Sequence, residues 1–443
     1  MKQAEQARGR PKRYPNAIDP VLGYAPGTIL TDDVADYRSV RAAEEVLLYR
    51  YKKDGLDGVK NVMMLVDNCS LPDFFHGPAY QERYLASKLA EERLDTLAKA
   101  HLGGDDAFRV FAFNRTTAAN LTVVLALARP VTAVPYVVPR YPKAGFKGHG
   151  HPSIPRAVEL ARAHCPVIVS LDELQAVLDR SAVSLIVVCP SYRGVVAEEI
   201  TRGACQLGRA RGIPVFVDDA SGARIRTIGE RQARAIDLGA DLVVTSCEKY
   251  GLNGPRAAVV VARKELMERI GAKAAILGTE ARPSVLAAIV RCLEEFTPDR
   301  GAATYREWEE RHRVLFEAMR KVFGDRVSWK PYGGVWFLPE DILEIAMDRA
   351  GIDETELAPV DASTALAMIL LRTHGYMTIP ALHYPGASKS LTIHLAQPAA
   401  QRLNAEDIVQ AVDEAFATLA KILTSRGKLE ALLFGPPHEP LSA

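Results

Sequence analysis

The chain has 443 residues, more than a single hydrophobic core usually supports, so one large and one smaller domain are expected. Hydrophobic residues make up 48% and charged residues 25%, which is typical of a globular protein and excludes wholesale disorder. The formal net charge of +1 argues against a surface built mainly to hold a polyphosphate strand, although a local basic patch stays open.

The cysteines and the apolar runs exclude several other classes of protein. The six cysteines form neither a C-x-x-C pair nor a cluster with histidine at zinc-ligand spacing, so reduced thiols and no metal site are expected. No apolar run approaches the roughly 18 residues of a membrane span, and the basic N-terminus lacks the apolar stretch of a secretory signal. We therefore expect a cytoplasmic protein that does not associate with a membrane.

The first hundred residues predict an arm followed by helices. Residues 1 to about 30 are polar and rich in Pro, Gly and Arg, which predicts an extended or partly disordered arm. Its basic residues fit either a solvated tail or a binding patch. Apolar residues then recur at helical spacing over 33–51 and 78–102.

From residue 108, short apolar runs alternate with helical segments, and this alternation predicts a parallel sheet covered by helices on both faces. The predicted strands are 108–113, 134–138, 167–170, 184–189, 214–217, 241–245 and 257–262. The predicted helices between them are 118–128, 154–163, 171–179, 200–211 and 232–238.

A long helical region over 284–323 leads into an α+β segment. Its predicted strands are 327–330, 334–338, 376–379 and 391–395, and its predicted helices are 363–374 and 405–424. The predicted division is an N-terminal arm and helix (1–77), a large α/β domain (78–300), a small C-terminal α+β domain (301–426) and a Pro-rich tail (427–443).

Thr116 and Thr117 lie where the predicted strand over 108–113 gives way to a helix. Hydroxyl and N–H groups at a helix start, together with the helix dipole, favour an anion such as a phosphate. A helix start without a ligand uses the same residue types, so this motif alone leaves both interpretations open.

Asp218 directly follows the apolar run over 214–217, in the stretch Asp218-Asp219-Ala220-Ser221-Gly222. A carboxylate at this position can accept a hydrogen bond from a protonated pyridine nitrogen and keep that nitrogen charged. The small Ala220 would let a ring lie against the sheet edge. Two adjacent aspartates could instead bind Mg²⁺, but the chain lacks a Walker-type loop and another hard-ligand cluster nearby.

Ser246 and Lys249 follow the apolar run over 241–245. A lysine in a partly desolvated pocket is a nucleophile and later a general base, and the Ser246 hydroxyl can reach a phosphate. A lysine after a strand is most often a solvated surface charge, so its combination with Asp218 on a neighbouring predicted strand decides the interpretation. The carboxyl ends of both strands face the ligand-binding edge of such a sheet. The sequence therefore predicts pyridoxal 5'-phosphate held as a Schiff base on Lys249.

These motifs resemble those of fold-type I pyridoxal-phosphate enzymes, the aspartate-aminotransferase-like superfamily, over roughly residues 80–425. Within it the chain is most similar to the selenocysteine synthase-like branch, which includes seryl-tRNA selenium transferase, archaeal homologues and glucosaminate-phosphate ammonia lyase. The resemblance implies a large domain with a mainly parallel seven-stranded sheet and a smaller C-terminal α+β domain. It is carried by FNRTTAANLTVVLAL, HGHPSIPRAV, VCPSYRG, GIPVFVDDASGAR and DLVVTSCEKYGLNGPRAAVVV.

The resemblance also implies roles for single residues at the motifs already described. Thr116, Thr117 and Ser246 would hold the cofactor phosphate. Asp218 would pair with the pyridine nitrogen, and Lys249 would carry the Schiff base.

Three further residues are expected to bind the cofactor. The ring-stacking position falls in the stretch from His149 to His151, and we expect His151 there; a loop histidine with a structural hydrogen bond is the alternative. Ser191 is placed to neighbour the phenolic oxygen of the ring, or is a simple turn former. Ser221, in the stretch after Asp218, is expected to be a cofactor-binding residue.

Two departures from the superfamily pattern bear on the reaction. Many relatives hold the substrate carboxylate with an arginine near the last strand of the small domain, but residues 390–395 contain none. Arg224 or Arg256 of the large domain, or His394 in that last strand, is expected to take this role, and Arg372 is a further candidate. The selenium transferase binds tRNA with a dedicated N-terminal region, whereas the arm here is short and only locally basic.

The expected function is a pyridoxal-phosphate enzyme that performs α,β-elimination or β-replacement on an amino acid or amino-acid-like small molecule. An aminotransferase, desulfurase or aldolase-type reaction is the alternative on the same scaffold. A tRNA-acting, selenium transferase-like or RNA-binding protein is the alternative from a different class. The resemblance also implies a homodimer or higher homo-oligomer.

Overall fold

A computed structural model of the chain describes residues 11–16, 18–19, 23–63, 65, 67–82, 85–141, 147–148, 150–192, 194–330, 333–382 and 388–438. The chain forms two compact units. The sheet unit contains the described residues of Pro20–Gly23 and Leu65–Arg306. The C-terminal unit contains the described residues of Met1–Asp19, Tyr24–Met64 and Glu307–Ala443.

The described residues form strands, α-helices and a few short helical turns. The strands are β1 (Ile18–Asp19), β2 (Gly23–Tyr24), β3 (Lys60–Asn61), β4 (Phe108–Phe113), β5 (Tyr136–Val137), β6 (Val167–Ile168), β7 (Ile186–Val188), β8 (Val215–Asp218), β9 (Leu242–Ser246), β10 (Ala258–Arg263), β11 (Ser328–Lys330), β12 (Gly334–Phe337), β13 (Tyr376–Met377) and β14 (Leu391–Ile393). The α-helices are α1 (Asp33–Asp54), α2 (Leu85–Leu102), α3 (Thr116–Leu127), α4 (Ser153–Leu160), α5 (Leu171–Arg180), α6 (Glu198–Arg211), α7 (Gly222–Arg224), α8 (Lys264–Leu277), α9 (Pro283–Glu295), α10 (Pro298–Phe323), α11 (Pro339–Ala350), α12 (Pro359–His374), α13 (Pro398–Gln401), α14 (Ala405–Ile422) and α15 (Arg426–Phe434).

The sheet unit is built on a seven-stranded sheet of order β4-β10-β9-β8-β7-β5-β6. The pairs from β9 through to β6 are parallel, and β10 runs antiparallel to both β4 and β9. Strands β8 and β9 are buried at every position, as expected for Val- and Leu-rich strands with both faces covered. The prediction of an α/β fold with a mainly parallel seven-stranded sheet is confirmed, and each strand lies within one residue of its predicted range.

Helices close both faces of this sheet. Helix α5 begins after Ser170, whose hydroxyl accepts from the Glu173 N–H, and α6 ends at Gly212 in the left-handed conformation. One predicted helix, over 232–238, is wrong: residues 232–234 are irregular and residues 235–239 form turns. Among the described helices, none has the length and apolar character needed to cross a bilayer.

The C-terminal unit packs α11, α12 and α14 around a three-stranded antiparallel sheet of order β11-β12-β14. Helix α12 is buried along most of its length, and the parallel pair β3–β13 joins residues from the two ends of the chain. The sequence prediction missed α11 and placed a tail where α15 lies. Three leucines of α15 are buried, and the Arg372 guanidinium donates to the carbonyls of Gly435 and Pro436, so this segment is held by packing despite its Pro-rich end.

The predicted domain over 1–77 differs from the observed division, because residues 24–64 cluster with the C-terminal residues. Asp361 at the start of α12 explains part of this arrangement. Its carboxylate accepts hydrogen bonds from the backbone N–H groups of Thr28, Ile29 and Leu30, and from the Thr28 hydroxyl. Ile29 and Leu30 are buried, so these N–H groups have little access to water as a substitute partner.

We expect Asp361→Ala to lower the free energy of unfolding of this unit by about 3 kcal/mol, because three backbone donors lose a charged acceptor. Thermal melting and limited proteolysis within residues 24–32 measure the effect. Asp353→Ala is the control, since its exposed ion pair with Lys12 should contribute less than about 1 kcal/mol. Equal melting temperatures for the two variants would contradict this role of Asp361.

Candidate active site

The carboxyl ends of three strands meet at one edge of the sheet. Ala258 at the start of β10 pairs with Phe113, the last residue of β4, and also with Ser246, the last residue of β9. Asp218 ends β8 and pairs with Val244 of β9. Of the predicted residues, Thr116 follows β4, Asp218 ends β8 and Lys249 follows β9. The fold therefore brings the three sequence signals to the edge where open α/β sheets bind ligands.

Helix α3 starts at this edge with the features of an anion site. Its N-cap residue Arg115 is extended and makes no side-chain capping bond. The hydroxyl oxygen of Thr116 is buried and has no hydrogen-bond partner among the described residues, whereas Thr117 is exposed. A free hydroxyl beside the N–H groups of a helix start suits a phosphate.

Asp218 is buried, and its carboxylate is oriented by two donors. Asn120 Nδ2 donates to Oδ2 at 2.9 Å, and the Ala220 N–H donates to Oδ1 at 3.3 Å. Burial raises the pKa of Asp218 above its ordinary value, and these two hydrogen bonds oppose the rise. A buried carboxylate of this kind gains from a cationic partner, as a protonated pyridine nitrogen would provide.

The same amide of Asn120 continues the network to His151. Asn120 Nδ2 donates to Ser153 Oγ at 2.9 Å, and Ser153 Oγ lies 2.8 Å from His151 Nδ1. The Ser153 N–H donates to that same Nδ1, which assigns the proton of the ring to Nε2. Burial lowers the pKa of His151 to about 3, with Lys249 as the largest charged contributor, so the ring is neutral at physiological pH.

The backbone around His151 is fixed by Tyr136 of β5. Tyr136 Oη donates to the His151 carbonyl at 3.2 Å. A methyl group on Gly150 would lie 2.3 Å from Tyr136 Oη, so this close approach needs glycine. His149, the other histidine of the predicted stretch, lies outside the described residues.

Ser221 lies in the loop after β8, and Ser191 lies close to that loop. A methyl group on Gly222 would be 2.7 Å from Ser191 Oγ, so the two segments are in close contact. Ser191 Oγ is buried and has no hydrogen-bond partner among the described residues. Ser221 precedes α7, and its carbonyl accepts from the N–H of Ile225.

Asp219 has a different role from Asp218. It forms a buried, two-pronged ion pair with Arg226, at 3.0 Å from Nε and 2.5 Å from the second nitrogen. Its carboxylate is therefore occupied, and in the described part of the chain no three His, Cys, Asp or Glu side chains group as metal ligands. Because Arg226 binds both oxygens of Asp219, that carboxylate is not available to a cation such as Mg²⁺.

Lys249 lies three residues beyond β9, with its side chain 21% exposed. Its amine is 4.0 Å from Oε1 of Glu248, the limit of an ion pair and beyond hydrogen-bond distance. The next residue, Tyr250, has φ of 54°, a conformation unfavourable for a bulky side chain, and its carbonyl accepts from Tyr305 Oη at 2.8 Å. The loop that carries Lys249 is thus held in a strained conformation.

Arg224 is fully buried and binds the backbone around Lys249. Its Nε donates to the carbonyl of Lys249 at 3.2 Å, and one terminal nitrogen donates to the carbonyls of Ala220 and Ser246 at 3.1 Å each. The other terminal nitrogen contacts Thr245 Oγ1 at 2.8 Å and His101 Nε2 at 3.3 Å.

All five N–H groups of Arg224 are therefore engaged. Burial, and next the charge of Arg224 itself, lower the pKa of His101 to about 3, so this ring accepts a hydrogen bond as a neutral imidazole. Arg224 retains no donor for a substrate carboxylate, and we correct its expected role from substrate anchor to positioning residue for the Lys249 loop.

The remaining predicted residues are distributed as follows. The hydroxyl of Ser246 donates to the Ala220 carbonyl at 2.5 Å, so it would have to turn to reach a phosphate. Arg256 is half-buried in the sheet unit, and its backbone N–H donates to Asp67. His394 is fully buried in the C-terminal unit, where its Nδ1 accepts from Ala396 and its ring contacts those of Trp308 and His312.

Sequence reasoning missed Asn120, Ser153 and Glu248. Asn120 follows Thr116 by one helical turn and is a polar residue in an apolar helix, which could have marked it. Ser153 had no signal beyond its position at a helix start. Glu248 looked like an ordinary solvated acid, because only tertiary structure shows that its carboxylate is buried.

The residues at this edge fit pyridoxal phosphate. Thr116 and the start of α3 would hold the phosphate, and Asp218 would pair with the ring nitrogen. Ser191 Oγ, buried without a partner among the described residues, would bind the phenolic oxygen, and Lys249 would supply the amine for attachment. The neutral His151 network leaves an uncharged ring available for stacking.

We expect Arg224→Lys to speed hydrogen–deuterium exchange at the Cys247 and Gly254 amides by about tenfold, because the loop loses several charge-assisted hydrogen bonds. Both amides are hydrogen-bonded within this loop region. Arg226→Lys is the matched control: Arg226 is also fully buried, but binds Asp219, Gln232 and Ala233. Equal exchange of the Cys247 and Gly254 amides in both variants would contradict the role of Arg224 in holding this loop.

The sequence was also compared with known proteins. It is 35% identical over 410 residues to a UPF0425 pyridoxal phosphate-dependent protein of Methanothermobacter thermautotrophicus, covering 92% of this chain and 100% of that protein. It is 27% identical over 389 residues to a second UPF0425 pyridoxal phosphate-dependent protein, from Methanococcus maripaludis, covering 86% of this chain and 98% of that protein. A crystal structure of the complex between SepCysS and the SepCysE N-terminal domain matches 94% of this chain and 98% of that chain, with 14% identity and a TM-score of 0.49.

A profile described as the UPF0425 C-terminal domain matches residues 334–404, which lie in the C-terminal unit. The whole length of the relative from Methanothermobacter aligns with 92% of this chain, so the similarity is not confined to the C-terminal unit. The predicted cofactor is confirmed by the names of these relatives. The chain belongs to the UPF0425 family of pyridoxal phosphate-dependent proteins.

Proposed function

We propose that the chain is an enzyme that carries out α,β-elimination or β-replacement on an amino acid or amino-acid-like small molecule, with its cofactor attached to Lys249. The observation that carries this proposal is the presence of two ionisable groups side by side at the point of attachment. The Lys249 amine and the Glu248 carboxylate lie 4.0 Å apart, in a loop that Arg224 holds through a hydrogen bond to the Lys249 carbonyl.

The residues of the sheet edge divide the binding of the cofactor among them. When bound, pyridoxal phosphate supplies an electron sink that stabilises negative charge on the substrate Cα. Asp218 keeps a proton on the ring nitrogen, and its orientation depends on Asn120. The start of α3 and Thr116 bind the phosphate through donors that are otherwise unused.

Elimination breaks one bond at Cα and one at Cβ. The Lys249 amine accepts the proton from Cα, and the substituent on Cβ leaves with the electron pair of its bond to carbon. The Glu248 carboxylate is close enough to the Lys249 amine to contact the substituent on Cβ. In β-replacement a nucleophile then adds at Cβ.

Transamination makes a different demand on the site. It requires one base that moves a proton between two carbons, and a keto acid as second substrate. A second buried ionisable group beside the lysine is not needed for that reaction, whereas it is useful where a substituent must leave Cβ. The Lys249–Glu248 pair therefore favours elimination or replacement.

We expect Lys249→Ala to remove the visible absorption of lysine-bound pyridoxal phosphate, because the attaching amine is gone. Borohydride reduction of the wild-type protein followed by peptide mass spectrometry should place the reduced cofactor on Lys249. Lys264→Ala, at the exposed start of α8, is the control and should keep both signals. A Lys249→Ala protein that keeps the visible absorption would refute the assignment.

We expect the purified protein to release a keto acid from its amino-acid substrate without any added keto-acid acceptor. Elimination produces an enamine that hydrolyses to keto acid and ammonia, so both products can be measured across a panel of β-substituted amino acids. Product formation that requires a keto-acid acceptor would show transamination instead.

A further inference from the structure

Glu248 has a buried carboxylate without a hydrogen-bond donor. Its side chain is 9% exposed, and Oε2 is fully buried with no hydrogen-bond partner among the described residues. The other oxygen, Oε1, contacts the Lys249 amine only at 4.0 Å. The carboxylate therefore has no hydrogen-bond donor among the described residues.

Two other carboxylates of the sheet unit, those of Asp219 and Asp241, have partners at both oxygens. Both oxygens of Asp219 bind Arg226, while Asp241 accepts from the Val215 N–H and from Arg263 Nε. A buried carboxylate that lacks such donors destabilises the fold, because it gives up water and gains no partner. The unsatisfied state of Glu248 beside Lys249 points to a partner that arrives with the substrate.

The charges around Glu248 indicate which partner is needed. Lys249 is its ion-pair partner, and Arg115 at the start of α3 interacts with its charge electrostatically. Attachment of the cofactor occupies the Lys249 amine, and the phosphate would compete for the Arg115 cation. In the loaded protein the Glu248 carboxylate would then lack a full cationic partner.

We propose that Glu248 binds a positively charged nitrogen on the side chain of the substrate, which identifies the substrate class as amino acids with a second amino group close to Cα. This inference rests on the proposed function, since it assumes that the substrate reacts at Lys249. The second nitrogen belongs on Cβ or Cγ, because the carboxylate lies 4.0 Å from the amine that must reach Cα. An ammonium group can donate to both oxygens of Glu248 and neutralise its charge.

The experiment titrates the cofactor-loaded protein with pairs of amino acids that differ by one charged nitrogen. L-2,3-Diaminopropionate is paired with L-2-aminobutyrate, and L-2,4-diaminobutyrate with L-norvaline. Binding is followed by the change in visible absorption and by calorimetry. We expect the cationic member of at least one pair to bind roughly tenfold to a hundredfold more tightly, as for a hydrogen bond to a buried charged group.

Glu248→Gln should abolish this preference, because an amide has no charge to pair with the ammonium group. Glu265→Gln is the control and should keep the preference. Glu265 is exposed in the first turn of α8, which follows the opposite end of β10. A Glu248→Gln variant that retains the preference would overturn the proposal.

The wild-type titration decides the matter even if the variant fails to fold. Equal affinity for the charged and neutral members of both pairs would overturn the proposal and leave Glu248 as a counter-charge of Lys249 alone. Failure of the proposed function looks different: product formation would require an added keto-acid acceptor, whatever the charge of the amino acid. Acceptor-independent product formation without a preference for the charged amino acids would overturn the inference only.

Discussion

The guanidinium of Arg224 joins the ends of two neighbouring strands, and the geometry around Lys249 depends on it. Its five N–H groups hold the carbonyls of Ala220, Ser246 and Lys249, the Thr245 hydroxyl and the His101 ring. These contacts fix the loop after β9 to the loop after β8, so Lys249, the proposed attachment point, and Asp218, the proposed partner of the ring nitrogen, are positioned together. A buried cation bound mainly by neutral acceptors is costly unless every donor is satisfied, and here every donor is.

Different hydrogen-bond and ion-pair partners give two adjacent buried acidic residues different chemical roles in this site. Asp218 and Asp219 are neighbours in sequence, but Asp219 is neutralised by Arg226 and Asp218 is held only by neutral donors. The carboxylate with neutral donors is the one that can accept a cationic ring nitrogen. Glu248 extends the same comparison: its carboxylate has still fewer partners, and it lies beside the Lys249 amine. Among these three carboxylates, the partners of each one therefore separate the structural Asp219 from the two that are proposed to meet a ligand.

Sequence periodicity predicted the sheet well, because buried parallel strands are short, apolar and bounded by helices. It also located Thr116, Asp218 and Lys249, since the carboxyl end of a strand is visible in the sequence. It failed where long-range contacts decide the structure: residues 232–238 form irregular backbone and turns beside Arg226, and α15 is held by packing of its leucines. Arg224 was misjudged for the same reason, because an arginine after a strand has the same local sequence whether it binds a substrate or the backbone.

The proposed cofactor site depends on more residues than those expected to contact the ring. One amide group, that of Asn120, donates to both Asp218 and Ser153, so a single side chain orients the proposed partner of the ring nitrogen and the network of the proposed stacking residue. Since Ser153 fixes the tautomer of His151 and burial keeps that ring neutral, the positive charges that act on it are those of Lys249, Arg156 and Arg115. A neutral stacking ring would leave the electron-withdrawing character of the cofactor under the control of Asp218. In the proposed site, Asn120 would therefore couple the position of the cofactor to its electronic state.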